Sequence, residues 1–191
     1  MSKYANSIRI IAGQWRGRRL SVIDSDGLRP TTDRVRETLF NWLMHEVPKA
    51  RCLDLFAGTG ALGLEALSRA ASEVVVAESS RTVVAKLEYN ISILSASQDV
   101  ATVVKQDALS YLKTVPSKPF DIVFLDPPFD SNLLIETVAL LGQAEWLADP
   151  AFIYIEQDNK SDVLSVPTSW QLYRQGKTGQ SRYSLYLCQS K

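Results

Sequence analysis

The sequence predicts an α/β protein with a mostly parallel, doubly wound sheet of seven strands, a C-terminal antiparallel hairpin and a small basic N-terminal extension. Three observations lead there. Five short apolar runs, Cys52 to Phe56, Val74 to Glu78, Ala101 to Val104, Asp121 to Leu125 and Phe152 to Glu156, recur along the middle of the chain. Between them lie segments of helix-forming composition, Ala61 to Ala70, Arg81 to Leu94, Ala108 to Lys113 and Leu133 to Leu141, and strands that alternate with helices pair in parallel. The run of glycines after the first strand, finally, suits the sharp turn from strand to helix that such sheets use to bind ligands.

The elements follow in order. Ile8 to Ile11, then Gly13-Gln14-Trp15-Arg16-Gly17-Arg18-Arg19-Leu20-Ser21-Val22, reads as two short strands around glycine turns, a small basic hairpin. From Thr31 to Val47, Val35, Leu39, Trp42 and Leu43 fall at helical spacing behind a Thr or Asp cap, and Pro48 ends the segment. The five strands and the four helices between them come next. Trp170 to Arg174 and Tyr183 to Leu187, joined through Gly176-Lys177-Thr178-Gly179, close the chain as a hairpin. Residues 1–30 are thus expected to form the extension and residues 31–191 the domain.

With 191 residues, 46% hydrophobic and 22% charged, the chain is expected to bury roughly 70% of its unfolded surface without a metal or disulfide staple. Cys52 and Cys188 lie far apart, with no C-x-x-C pair, which points to a reducing compartment. Met1 to Ser7 has no apolar targeting core, and no run approaches the ~18 apolar residues of a membrane span. A soluble, cytoplasmic protein with no metal site is expected.

Twenty-one Lys+Arg against 21 Asp+Glu give zero net charge, but the charges are unevenly placed. Residues 1–40 hold eight basic and four acidic residues, 41–159 hold eight and sixteen, and 160–191 hold five and one. The ends are basic and the middle acidic. Such asymmetry suits a polyanion held by the terminal segments and a cationic or neutral ligand held by the centre.

Asp54-Leu55-Phe56-Ala57-Gly58-Thr59-Gly60-Ala61-Leu62-Gly63 sits where an open parallel sheet binds its ligand. Gly58 and Gly60 permit a tight turn and close backbone approach, and Gly63 lets the next helix pack near the sheet. The pattern also fits dinucleotide-dependent oxidoreductases. Glu78, twenty residues after Gly58, ends the second strand, where a carboxylate can accept hydrogen bonds from ribose hydroxyls. Asp54 before the loop would repel a pyrophosphate and attract an ammonium or sulfonium group, which favours S-adenosylmethionine over NAD. Asp107 ends the third strand, as a helix cap or as an acceptor for an adenine amine.

Asp126-Pro127-Pro128-Phe129 follows the fourth strand. Two consecutive prolines remove two donors and fix two φ angles, so a carboxylate of Asp126 and the carbonyl of Pro127 can face one pocket beside the Phe129 ring. An exocyclic NH₂ offers two donors to two acceptors, where a hydroxyl offers one. The spare histidine, His45, reads as a polar helix-face residue. Trp15 reads as core, or as a base-stacking aromatic among arginines.

At these residues the sequence resembles class I S-adenosylmethionine-dependent methyltransferases that modify base amines. The narrower similarity, carried by Arg29-Pro30-Thr31-Thr32-Asp33-Arg34-Val35-Arg36-Glu37 onward to Leu43, by the loop from Asp54 and by Asp126 to Phe129, is to the bacterial RsmD family, and runs from about Ile8 to Leu187. The resemblance implies a Rossmann-like methyltransferase fold and transfer of a methyl group to the 2-amino group of a guanine in small-subunit ribosomal RNA. It also implies roles: Asp54, Phe56, Gly58 and Gly60 for the methionine part of the cofactor, Glu78 for ribose, Asp107 and Ala108 for adenine, and Asp126, Pro127, Pro128 and Phe129 for the target base. Arg16, Arg18, Arg19, Arg29 and Arg34 are the expected RNA-binding residues. The tip of the closing hairpin, Gly176 to Ser181, reads only as a substrate loop, so no role is carried to Lys177 or Arg182. The expected partner is ribosomal RNA within an assembly intermediate, bound by a monomer. Adenine or cytosine amines, in DNA or another RNA, also fit the tetrad. A dehydrogenase would leave Asp126 to Phe129 unexplained, and a non-catalytic RNA-binding module with a relic cofactor pocket is separated by Asp126→Ala, which should abolish methyl transfer with RNA affinity nearly intact.

Overall fold

Alternation of side chains along each strand divides the interior into two cores. In the run Val74-Val75-Val76-Ala77, Val74 and Val76 enter one apolar cluster while Val75 and Ala77 enter the other. A strand covered on both faces needs apolar residues at every position, as parallel sheets with helices on both sides require. The computed structural model describes residues 7–23, 32–128, 132–143 and 145–190. Along the chain these form β1 (Ser7–Arg9), β2 (Arg19–Ser21), α1 (Asp33–Trp42), β3 (Arg51–Asp54), α2 (Ala61–Ser68), β4 (Glu73–Glu78), α3 (Arg81–Ile93), β5 (Ala101–Lys105), α4 (Ala108–Leu112), β6 (Phe120–Leu125), α5 (Leu133–Leu141), β7 (Leu147–Asp158), β8 (Trp170–Lys177) and β9 (Ser181–Cys188).

The sheet has seven strands in the order β5-β4-β3-β6-β7-β9-β8. β3 to β7 pair in parallel, and β9 pairs antiparallel with both β7 and β8. From β3 the chain winds outward through β4 to β5, then returns to place β6 on the other side of β3. Strand order therefore reverses between β3 and β6, which opens a crevice beyond their carboxyl ends.

β7 is longer than the predicted Phe152–Glu156 because Leu147 already pairs with Phe120 ahead of a register shift in β6. Helix α1 is shorter than the predicted Thr31–Val47. Thr32 caps it, its hydroxyl accepting from the Val35 amide at 3.4 Å. After Trp42 the amides of Glu46 and Val47 both return to the Leu43 carbonyl, so the chain tightens into a turn that buries Val47 and leaves His45 exposed outside the helix.

The N-terminal arm is an antiparallel pair, β1 with β2, packed through Ile8, Ile10, Trp15 and Leu20 into the same core as α1 and α2. Trp15 is buried there, so it does not offer a face to a base. Glu65 on α2, with no exposed surface, accepts from the Ile11 and Ala12 amides at 2.7 and 3.0 Å and from Arg69 Nε at 2.7 Å. Arg36 on α1, also buried, reaches Glu65 at 3.9 Å, the Arg9 carbonyl at 2.8 Å and Asp33 at 2.6 Å. Ser68, at the end of α2, takes the Gln14 amide on its carbonyl at 2.7 Å and the Trp15 amide on its hydroxyl at 3.1 Å. Gly13, at φ +82°, crosses that carbonyl so closely that a Cβ would lie 1.8 Å from it.

Candidate active site at the carboxyl ends of the strands

A cavity of about 490 Å³ fills the crevice at the strand-order reversal. Its walls come from loops whose geometry the sequence dictates. After β3 the backbone turns through Gly58 at φ +48° and Gly60 at φ +77°, the left-handed region that glycine enters without steric cost. The Gly60 amide closes onto the Ala57 carbonyl at 2.7 Å. Gly60 also begins α2 without a side-chain cap.

Two carboxylates brace this loop. Glu78, at the end of β4, accepts from the Gly58 amide at 3.1 Å and from the Ser80 amide at 2.7 Å, which holds it beside the loop with lone pairs to spare for a ligand. Asp54, at the end of β3 and only 1% exposed, accepts from the Gly63 amide at 3.0 Å through Oδ2. Its Oδ1 is buried and has no hydrogen-bond partner, although Asp54 lines the cavity. Burial pushes this carboxyl up to about 7, with hydrogen bonds from the Gly63 and Phe56 backbone opposing and the nearby Glu78 charge adding to the rise. The sequence suggests a fixed negative charge at Asp54. In the folded chain that charge is only about half present at neutral pH, and a positive group facing it would complete it.

Asp107 caps α4, accepting from the Ser110 amide at 2.9 Å, a bond that holds its carboxyl below the usual range. The cap and the ligand readings of Asp107 are compatible, because Asp107 and Ala108 also line the cavity. Asp126, Pro127 and Pro128 follow β6 directly and form the opposite wall. Of the predicted residues, Asp54, Phe56, Gly58, Glu78, Asp107, Ala108, Asp126, Pro127 and Pro128 thus line one space. Gly60 shapes the turn behind it, while Phe129 and Arg29 lie outside the described residues.

The predicted RNA-binding arginines stand apart from the cavity. Arg16, Arg18 and Arg19 are exposed on the arm, and Arg34 is exposed on α1. Arg18 donates to the Ile93 carbonyl at the end of α3 at 2.9 Å, so part of its guanidinium is already engaged. Arg34 falls between Thr32 and Val35, both of which line the cavity.

Thr178, Gln180 and Ser181, from the hairpin tip that the sequence reads as a substrate loop, reach the cavity because β9 pairs beside β7. Sequence reasoning missed Glu156, which lines it as well. A signal for it exists in the sequence, since it ends a predicted parallel strand as Glu78 does. Cys52 is buried in the core, its thiol pushed upward first by that burial and then by Asp121 and Asp54. Among the described residues no group of His, Cys, Asp and Glu is arranged to hold a metal, and no helix is long and apolar enough to cross a membrane.

Comparison with known proteins places this geometry. The chain is 52% identical over 182 residues to ribosomal RNA small subunit methyltransferase D of Escherichia coli (strain K12), covering 95% of this chain and 90% of that one. It is 48% identical to the protein of the same name from Haemophilus influenzae, over 94% and 93% of the two chains. A solved Escherichia coli structure described as the putative methyltransferase yhhF superposes with a TM-score of 0.90 at 48% identity, covering 97% of this chain and all of that one. The family described as conserved hypothetical protein 95 matches residues 8–187. On that match and those identities the chain belongs to this family, which is the RsmD family of S-adenosylmethionine-dependent methyltransferases.

Proposed function

We propose that this protein transfers a methyl group from S-adenosylmethionine to the exocyclic 2-amino group of a guanine in small-subunit ribosomal RNA. One observation carries the reading: the Asp126-Pro127-Pro128 wall and the glycine loop braced by Glu78 face a single cavity, so an amine acceptor pair and a nucleoside site meet. The relatives named for small-subunit ribosomal RNA methylation supply the substrate class. The identity of the base rests on the RsmD resemblance.

The residues present fit the cofactor. The buried, unpartnered Oδ1 of Asp54 suits the cationic methionine end, with the Gly58 to Gly60 turn and Phe56 around it. Glu78 would take the ribose hydroxyls, and Asp107 with Ala108 the adenine. When bound, S-adenosylmethionine supplies a methyl carbon made electrophilic by its sulfonium.

Asp126 and the Pro127 carbonyl accept the two N–H groups of the target amine and so aim its nitrogen. The prolines, which have no amide hydrogen, keep competing donors out of that pocket. Because the amine lone pair is delocalised into the base, alignment at about 3 to 3.5 Å contributes more than a strong base would. With the donor bound, the N–C bond would form as the C–S bond breaks, and Asp126 would accept the proton that the amine releases. Phe129 is the aromatic expected to stack on the base, which must leave its helix or occupy a loop at a cost of a few kcal/mol.

Arg16, Arg18, Arg19, Arg29 and Arg34 form the proposed phosphate-binding set. The substrate is ribosomal RNA within a partly assembled small subunit rather than naked RNA, and the enzyme acts as a monomer in the cytoplasm. Tritiated methyl transfer onto free ribosomal RNA and onto partly assembled subunits, followed by mapping of the labelled base, tests the reading. Asp126→Ala is expected to lower kcat by about 100-fold or more with RNA affinity nearly intact. Label on a ring nitrogen, on ribose or on another base would reject it.

A further inference from the structure

Glu156 is the cavity carboxylate to which the chemistry above gives no task. It is 7% exposed, and its carboxylate accepts from the Tyr154 hydroxyl at 2.8 Å through Oε2. No basic side chain among the described residues forms a salt bridge with it. A buried carboxylate without a counter-charge is costly, and this one opens onto the substrate cavity.

Register explains its position. Leu125 pairs with Ile155 across β6 and β7 in parallel, so the next residues, Asp126 just past β6 and Glu156 within β7, stand side by side on neighbouring strands spaced roughly 4.8 Å apart. By the alternation of side chains both belong to the sheet face of Phe124 and Tyr154. The Tyr154 phenol is held well above its ordinary pKa, first by burial and then by the charges of Glu156 and Asp126. It therefore stays a donor and fixes the direction of Glu156.

We infer that Glu156 selects guanine, its carboxylate accepting the ring N1–H beside the amine that Asp126 and Pro127 hold. This role rests on the proposed function and deepens it. Guanine places a ring N–H next to its exocyclic amine. Adenine and cytosine place a ring-nitrogen lone pair there, which faces a carboxylate with repulsion and no shared proton. Acceptors on adjacent strands thus read the one base that places a ring N–H beside its exocyclic amine, a discrimination that a site built to hydrogen-bond its substrate makes steeply.

The test uses small-subunit particles reconstituted with guanine or 2-aminopurine at the mapped target. 2-Aminopurine keeps the exocyclic amine but has a lone pair in place of N1–H. Wild-type kcat/KM is expected to favour guanine by about 100-fold or more. Glu156→Gln, whose amide can turn a donor toward the lone pair, is expected to lose about 10- to 100-fold on guanine and to narrow the ratio between the two bases. That ratio is internal to each preparation, so partial misfolding does not move it, and the wild-type arm needs no variant. Equal wild-type rates on the two bases would overturn the inference. So would a variant that keeps the wild-type ratio while its KM for S-adenosylmethionine rises, which would assign Glu156 to the cofactor. Absence of label on any guanine amine would instead bring down the proposed function and this inference together.

Discussion

Two buried carboxylates bind α2 from different sides. Glu65, on the helix itself, has no exposed surface and is surrounded by donors: two arm amides, the Arg69 guanidinium and, further off, that of Arg36. Asp54, under the helix start, is equally buried but is bonded by the Gly63 amide on one oxygen and has its other oxygen unpartnered at the cavity. The chain completes the first coordination by itself and leaves the second for a ligand. A buried carboxylate with all its donors supplied locally fastens structure, whereas one left short of a donor in a cavity marks where a cation is to arrive.

The largest expected effect breaks the fastened member of the pair. Glu65→Ala strands the Ile11 and Ala12 amides and leaves Arg36 and Arg69 short of a partner, so urea unfolding should show a loss of about 3–5 kcal/mol. A loss under about 1 kcal/mol, the worth of an exposed pair, would erase the distinction between the two sites. Asp54→Asn comes next. Calorimetric titration should show S-adenosylmethionine affinity reduced about 10- to 100-fold, while the unfolding midpoint holds or rises because a buried carboxyl that resists ionisation has been removed.

A subtler separation is available from pH. Asp54 titrates at about 7 in the ligand-free fold and near ~3.9 in the unfolded chain. The fold therefore holds this proton more tightly than the unfolded chain does, and the stability due to Asp54 declines as pH rises from about 4 to about 7, then levels. Cofactor binding has the opposite slope. A cation facing Asp54 lowers its pKa, so affinity should weaken by up to tenfold per unit as pH falls below about 7. Titrations between pH 5.5 and 8 should show that slope in the wild type and its disappearance in Asp54→Asn.

The smallest effect lies on the outer side of the arm that Glu65 fastens. Arg16→Ala or Arg34→Ala should leave cofactor binding untouched and reduce the log-log salt slope of RNA binding by about 0.7 for each single-strand phosphate that the arginine neutralises in the wild type. Filter binding across a salt series measures it, and an unchanged slope would remove that arginine from the RNA surface.

Much of this arrangement is legible in the residues themselves. Strand-helix alternation predicts the parallel sheet, and the twenty residues from Gly58 to Glu78 lead to a carboxylate that the fold places at the end of β4 beside the glycine loop. What stays hidden depends on strand order. β9 lies between β7 and β8, and only that insertion brings Thr178, Gln180 and Ser181 to the cavity. Likewise Glu156 becomes Asp126's neighbour through the β6–β7 register, which no local pattern encodes. Arg36 shows a different blind spot. Nothing in its local pattern marks it as buried, yet its partners Arg9, Asp33 and Glu65 come from β1, α1 and α2, and it is 1% exposed.

The crossing of Gly13 over the Ser68 carbonyl has a practical corollary for engineering. The arginine arm is moulded to the far end of α2 and is not a detachable handle. Grafting it onto another enzyme to redirect that enzyme toward ribosomal particles would fail unless the recipient helix brought matching counterparts of Glu65 and Ser68. Conversely, any side chain introduced at position 13 would lift the arm off its seat while leaving every arginine in place.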